Sequence, residues 1–161
     1  MYTIFQKNTG VTLIELIVVM AILGIMASIT TISFGSSRDK RAVETNARQF
    51  AAVVRLAQNY ALSGKQAPAG ATCGYSIDSW MNDDKYSIRP ILCSGDIADY
   101  TETYTLNQGV SISRNKIVTF VIPYGKKSGA SSFTFSKGAS SHYVCINTKG
   151  EVKDSPTAGC P

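Results

Sequence analysis

The chain has 161 residues, a formal net charge of +5, four cysteines and one histidine. That length holds one domain plus an anchor, and a charge of +5 spread along the chain is by itself weak evidence for nucleic acid. No phosphate-binding glycine loop, nucleophile elbow or metal motif is present, so the composition speaks against an enzyme and calls for no cofactor.

Met1 to Gly10 is a short polar leader with one charge, Lys7. From Leu16 to Ser37 there is no charge at all, about 22 residues. As a helix this is about 33 Å long, enough to cross the hydrocarbon core of a bilayer. Glu15 stands at its start, where a carboxylate in lipid carries a cost. A secretory signal peptide places its small residue after the apolar run. Here Gly10 stands before it, so cleavage at that point retains the helix.

Gly10-Val11-Thr12-Leu13-Ile14-Glu15-Leu16, followed by Ile17-Val18-Val19-Met20-Ala21-Ile22-Leu23-Gly24-Ile25, resembles the class III signal of type IV pilins and pseudopilins. The resemblance implies that a prepilin peptidase cuts between Gly10 and Val11 and methylates the new Val11 amine. Glu15 then becomes the fifth residue of the mature chain, facing the amino terminus of a neighbouring subunit in a filament. It also implies an inner-membrane precursor with its head outside the cytoplasm, and an assembly platform as partner. Val11 stands where the family more often has phenylalanine, and Thr9 where it has a basic residue. No proline precedes Pro68, although many members have one well into the apolar helix.

Elementary electrostatics gives Glu15 the same role. A free N-terminus is a cation, and an acid four residues into an apolar helix is an anion. Pairing them between subunits offsets both burial costs and sets axial register. Thr12-x-x-Glu15 is also a capping-box pattern, and an acid in the first turn favours the helix dipole; each effect is worth about 1 kcal/mol. Ala21, Gly24, Ala27 and Ser28 form a narrow small-residue face that permits close helix approach.

Past the apolar segment, Val43, Ala47, Phe50, Val53, Val54, Ala57, Tyr60 and Ala61 recur at helical spacing. The spacing predicts an amphipathic helix over 38–63, stopped by Gly64, with a brief interruption at Ser36, Ser37 and Asp39. Arg38, Lys40 and Arg41 flank the far side of the apolar run, and the positive-inside rule alone would put that side in the cytoplasm. The leader signature and the cysteines argue for the opposite orientation.

From residue 72 onward short alternating segments lie between polar turns. Strands are expected at Thr72–Ile77, Tyr86–Leu92, Tyr100–Leu106, Val110–Ser113, Ile117–Ile122, Ser132–Phe135 and Tyr143–Asn147, with a hairpin turn at 148–151 and Val152 beyond it. The expected fold is α+β: a long N-terminal helix, half transmembrane and half amphipathic, packed on an antiparallel sheet. The chain divides into a leader (1–10), a transmembrane assembly helix (11–37) and a pilin-like head (38–161, with its β-rich part at 72–161).

Val54 to Ala61, Asn107-Gln108-Gly109-Val110-Ser111-Ile112, Val118-Thr119-Phe120 with Gly125, Phe133-Thr134-Phe135 and Val144-Cys145-Ile146-Asn147 with Gly150 run in an order similar to H-type minor pseudopilins. The same group includes minor pilins of DNA uptake. Some of those carry an arginine-rich stretch after the last hairpin glycine; here Gly150 is followed by Glu151, Val152, Lys153 and Asp154.

Cys73, Cys93, Cys145 and Cys160 contain no CxxC pair, which is poor spacing for zinc. Three disulfide pairings are open. Cys73–Cys93 with Cys145–Cys160 closes two short turn-rich loops, each worth about 3 kcal/mol. Four buried free thiols are the alternative. His142 is the sole candidate base and reads as a surface or strand residue. Asp83, Asp84, Asp96 and Asp99 sit in polar loops where aspartates serve turns, with a calcium site as the rival reading. Trp80, Tyr75, Tyr86, Tyr100, Tyr104 and Tyr124 read mainly as core, with a sticky surface as the alternative.

These readings converge on a structural subunit of a type IV pilus or type II secretion pseudopilus, with other pilin or pseudopilin subunits as partners. Three alternatives stay open: a minor pilin that binds DNA through dispersed lysines and arginines, a major pilin forming the whole filament, and a membrane-tethered enzyme.

Overall fold

A single α-helix, α1, runs Leu13–Leu62 in the computed structural model. The described residues are 10–79, 84–98, 102–113, 115–129 and 132–158, without the side chains of 29–34. The chain divides into two compact units, Met1–Ser37 and Arg38–Pro161.

In the first unit Thr12 precedes the helix, and its carbonyl accepts from the N–H groups of Glu15 (3.1 Å) and Leu16 (3.3 Å). The expected interruption does not occur: Ser36, Ser37 and Asp39 are all helical. Such residues favour caps only when their side chains capture nearby backbone groups, and propensity costs of a few tenths of a kcal/mol do not break a long helix. Among the described residues no helix is long and apolar enough to cross a membrane. The side chains of residues 29–34, which the sequence reading counts within the span, lie outside the described set.

In the second unit the helix ends in a Schellman motif. Gly64 has φ +65°, Lys65 N–H donates to the Tyr60 carbonyl (3.1 Å) and Gly64 N–H to that of Ala61 (3.3 Å). The strands that follow are β1 (Thr72–Ser79), β2 (Lys85–Leu92), β3 (Glu102–Thr105), β4 (Ser111–Ile112), β5 (Lys116–Val121), β6 (Lys126–Gly129), β7 (Ser132–Lys137), β8 (Ser140–Ile146) and β9 (Val152–Ser155). They form two sheets, not one, ordered β3-β2-β1-β5-β6 and β4-β7-β8-β9. All pairings are antiparallel. The sheets meet where Ser79 Oγ donates to the Ser113 carbonyl (2.7 Å) and Lys116 Nζ to that of Ser132 (2.8 Å).

The second half of α1 supplies the middle of the core. Val43, Ala47, Phe50, Val54, Ala57 and Ala61 are buried against Ile77, Ile88, Val118 and Phe120 of the first sheet and Phe133, Phe135, Val144 and Ile146 of the second. Phe50 is central, with ring centroids 4.9 Å from Tyr86, 4.7 Å from Phe133 and 5.3 Å from Phe135. Alanines on the helix let both sheets approach while the aromatic rings fill the gap. Buried Asn46 adds a polar tie: its Oδ1 accepts from Asn107 N–H (2.9 Å) and its Nδ2 donates to the Ala42 carbonyl (2.8 Å).

Strand β6 was not expected. Lys-Lys-Ser-Gly has no apolar alternation, and the segment is a strand because the turn before it delivers its backbone to the β5 edge. Its lysines suit an exposed edge.

Candidate assembly site

The amino-terminal site is a short non-helical segment leading into an exposed apolar helix. Gly10 and Val11 precede α1 and are exposed, Val11 at 72%. Glu15 occupies the first turn and is exposed. Its carboxylate has no ion-pair or hydrogen-bond partner among the described residues. Thr12 caps the helix through its carbonyl. A Cβ built on Gly24 meets nothing within 4 Å, and the Gly24 carbonyl accepts from Ser28 Oγ at 2.6 Å.

Around this acid the helix surface is apolar on every side. Leu13, Ile14, Leu16, Ile17, Val18, Val19, Met20, Ile22, Leu23, Ile25 and Met26 are all about half exposed or more. Apolar area buried elsewhere is worth about 25 cal/mol per Å². A helix apolar all round is built to be covered by lipid or by other helices.

In the head, Cys73 and Cys93 form a disulfide across the β1–β2 pair, closing a loop of 20 residues. Cys73 stands at a register shift in β1. Cys145 is also disulfide-bonded. Its expected partner, Cys160, lies outside the described residues.

His142 is buried on β8, with Nε2 3.2 Å from Asp154 Oδ2. Arg48 Nε lies 3.6 Å from the same oxygen, and Arg48 Nη2 lies 2.6 Å from Glu44. Burial raises the Asp154 pKa, but the His142 hydrogen bond, its own backbone N–H and the nearby cations outweigh it, and the net shift is downward. This is a strand-to-helix tie at the margin of the core, with no nucleophile in the network.

Asp96 accepts from Ser94 Oγ at 2.9 Å, as expected of a turn aspartate. No metal-holding group of acids, histidines or cysteines occurs among the described residues. Asp83, Asp99, Trp80 and Tyr100 lie outside them. Several basic side chains are engaged within the chain: Arg55 Nη2 donates to the Val152 carbonyl (3.1 Å), Lys153 pairs with Glu151 (3.3 Å) and Lys137 with Asp39 (3.0 Å). The 148–151 turn forms as expected, with Asn147 N–H donating to the Glu151 carbonyl (3.0 Å). Gly150 suits that turn, since its φ of +83° lies in the left-handed region that favours glycine.

Two arrangements escaped the sequence reading. Asp78 is buried on β1 with Oδ2 2.8 Å from Arg89 Nε on β2. Burial raises its pKa, and the Arg89 charge and a Ser76 hydrogen bond only partly oppose this. The register pairs Asp78 with Ser87 and Arg89 with Ser76, so the ion pair is a diagonal cross-strand contact, which no local pattern announces. The second is a cluster of phenols around Glu102, whose carboxylate accepts from Tyr104 Oη (2.9 Å) and Tyr60 Oη (3.3 Å).

Comparison with known proteins gives the class first. Residues 5–31 match the family model of the prokaryotic N-terminal methylation motif. The head has the fold of a minor pseudopilin: the chain superposes on EpsH of the type II secretion system of Vibrio cholerae with TM-score 0.50 and 10% identity, covering 75% of this chain and 99% of that one. A second EpsH structure superposes with TM-score 0.49 and 11% identity, over 73% and 98% of the two chains. The particular relative by sequence is type II secretion system protein H of Aeromonas hydrophila, 34% identical over 57 residues. That match spans 35% of this chain and 31% of the relative's length. The motif match covers the amino-terminal segment, and the structural likeness is one of fold.

Proposed function

We propose that this chain is a pilin-like structural subunit, made as an inner-membrane precursor, cut between Gly10 and Val11 and assembled through its apolar helix. One observation carries the reading: a methylation motif at residues 5–31 opens onto a helix whose described apolar side chains, from Leu13 to Met26, are exposed. The mature Val11 ammonium of one subunit neutralises Glu15 of its neighbour, while neighbouring helices cover the exposed leucines, isoleucines and valines. Gly24 allows close approach between those helices. Residues 1–10 are the removed leader, 11–37 the membrane and assembly segment, and 38–161 the head.

The Cys73–Cys93 disulfide supports a head outside the reducing cytoplasm. Prepilin peptidase, the inner-membrane assembly platform and other pilin or pseudopilin subunits are the partners of this reading. The sequence likeness to a secretion-system protein H favours a type II secretion pseudopilus over a type IV pilus.

The test is N-terminal mass spectrometry of protein from assembled filaments. A chain beginning at methylated Val11 is expected. Intact Met1 in assembled material would overturn the proposal.

A further inference from the structure

Three cations stand at the start of the head, and assembly through the apolar helix gives them no task. Arg38, Lys40 and Arg41 directly follow the uncharged run 16–37. The positive-inside rule disfavours basic residues on the far side of a span. The orientation proposed above carries all three across.

Their placement separates them from the acids nearby. The helix α1 is continuous through this stretch, and all three side chains are exposed. Arg38 and Arg41, three residues apart, share the side of the helix turned away from buried Val43 and Phe50. Lys40 flanks that side. Asp39 is engaged elsewhere, its Oδ1 3.0 Å from Lys137 Nζ at the end of β7. Glu44, one turn beyond Lys40, is held by Arg48 at 2.6 Å. Arg38, Lys40 and Arg41 have no ion-pair or hydrogen-bond partner among the described residues.

The length of the uncharged run fixes their depth. As a helix, 16–37 is about 33 Å long, against a hydrocarbon core of about 30 Å. A chain that spans with this run sets 38–41 among the headgroups, within reach of long lysine and arginine stems. Anionic headgroups attract each basic side chain there, and a guanidinium matches two phosphate oxygens with a pair of hydrogen bonds.

We propose that Arg38, Lys40 and Arg41 bind the headgroups of anionic phospholipids in the leaflet beneath the head and hold the unassembled subunit at the membrane surface. The occupant is lipid because the cluster is cationic, its neighbouring acids are engaged elsewhere, and the run before it ends at headgroup depth. Extraction into a filament breaks these contacts, so anionic lipid retains the subunit in the membrane. The inference deepens the assembly reading and rests on it.

The test titrates the full-length chain in detergent micelles with phosphatidylglycerol or phosphatidylcholine and counts bound lipid by native mass spectrometry. A preference for phosphatidylglycerol of about tenfold or more is expected. The triple variant Arg38→Gln, Lys40→Gln, Arg41→Gln is expected to lose it, with Lys7 intact in both chains and the denaturation midpoint of the head unchanged. Inorganic phosphate at the same concentration is expected not to compete. Equal binding of the two lipids, an unchanged preference in the triple variant, or full competition by phosphate would overturn the proposal. A second measurement needs no variant. Raised salt is expected to abolish the preference of the unaltered chain, and a salt-independent preference would overturn the proposal. A triple variant that keeps the lipid preference but fails to enter filaments assigns the cluster to acids of a neighbouring subunit and overturns it as well. Recovery of the mature, unaltered chain in filaments without any lipid preference overturns this inference alone. A lipid preference in a chain that stays unprocessed and absent from filaments overturns the assembly reading alone.

Discussion

The two halves of α1 contain similar apolar residues and meet opposite fates. Between Val11 and Met26 the large side chains are exposed, whereas Val43, Phe50 and Val54 are at most 1% exposed. Two sheets of the same chain cover the second set. The amino-terminal unit has no sheet of its own to cover the first among its described residues. The difference is one of supply: the head carries its own covering surface, and in the proposed assembly the amino-terminal helix obtains one from lipid or from other subunits. Stability of the head and competence for assembly therefore separate physically, and substitutions are expected to affect one without the other.

The sharpest way to break the head alone is Phe50→Ala. It empties the point where the helix meets both sheets and is expected to cost about 3–5 kcal/mol. Chemical denaturation of the variant would measure this, while cleavage after Gly10 continues at its usual rate. Replacing Cys73 and Cys93 together by serine reopens a 20-residue loop. It is expected to cost about 3 kcal/mol, read as a lower denaturation midpoint.

Glu15→Ala tests the other side of the comparison. Incorporation into filaments is expected to fall at least tenfold, with head circular dichroism and denaturation midpoint unchanged. Unchanged incorporation would reduce Glu15 to a helix cap.

The smallest effect concerns pH. Asp154 has a folded pKa below its unfolded value. Its contribution is thus fully present above the ordinary aspartate pKa of about 3.9 and is lost as pH falls through the lower folded value. Asp78 is shifted the other way, so its ionised form costs stability above its raised folded pKa, and acid relieves that cost. Asp154→Asn is expected to flatten the acid limb of the stability profile slightly, because the group is one-third exposed and solvent screens it. A steeper acid limb would contradict the His142–Asp154–Arg48 arrangement.

Much of the fold was legible where periodicity was strong. Val43 to Ala61 announced the buried helix face, and Gly64 its stop. Tyr75 and Ile77, and Phe133 and Phe135, announced strands through alternation. The signal weakened where backbone pairing alone makes the structure. Lys126–Gly129 is a strand only because β5 offers it an edge. Ser111–Ile112 leaves the first sheet for the second because it pairs with β7. The helix runs through Ser36, Ser37 and Asp39 despite their capping chemistry.

The candidate site divides in the same way. Gly10, Val11, Thr12 and Glu15, the residues of the proposed processing and register, are readable because both would depend on order along the chain. The ties of Asp78 to Arg89 and of His142 to Asp154 depend on which strands become neighbours. By itself the sequence determined the apolar helix with its single acid and the amphipathic face that follows, since each is a pattern of near neighbours. Only the tertiary structure decided the split into two sheets and the buried polar pairs, because strand register joins residues that local chemistry does not relate.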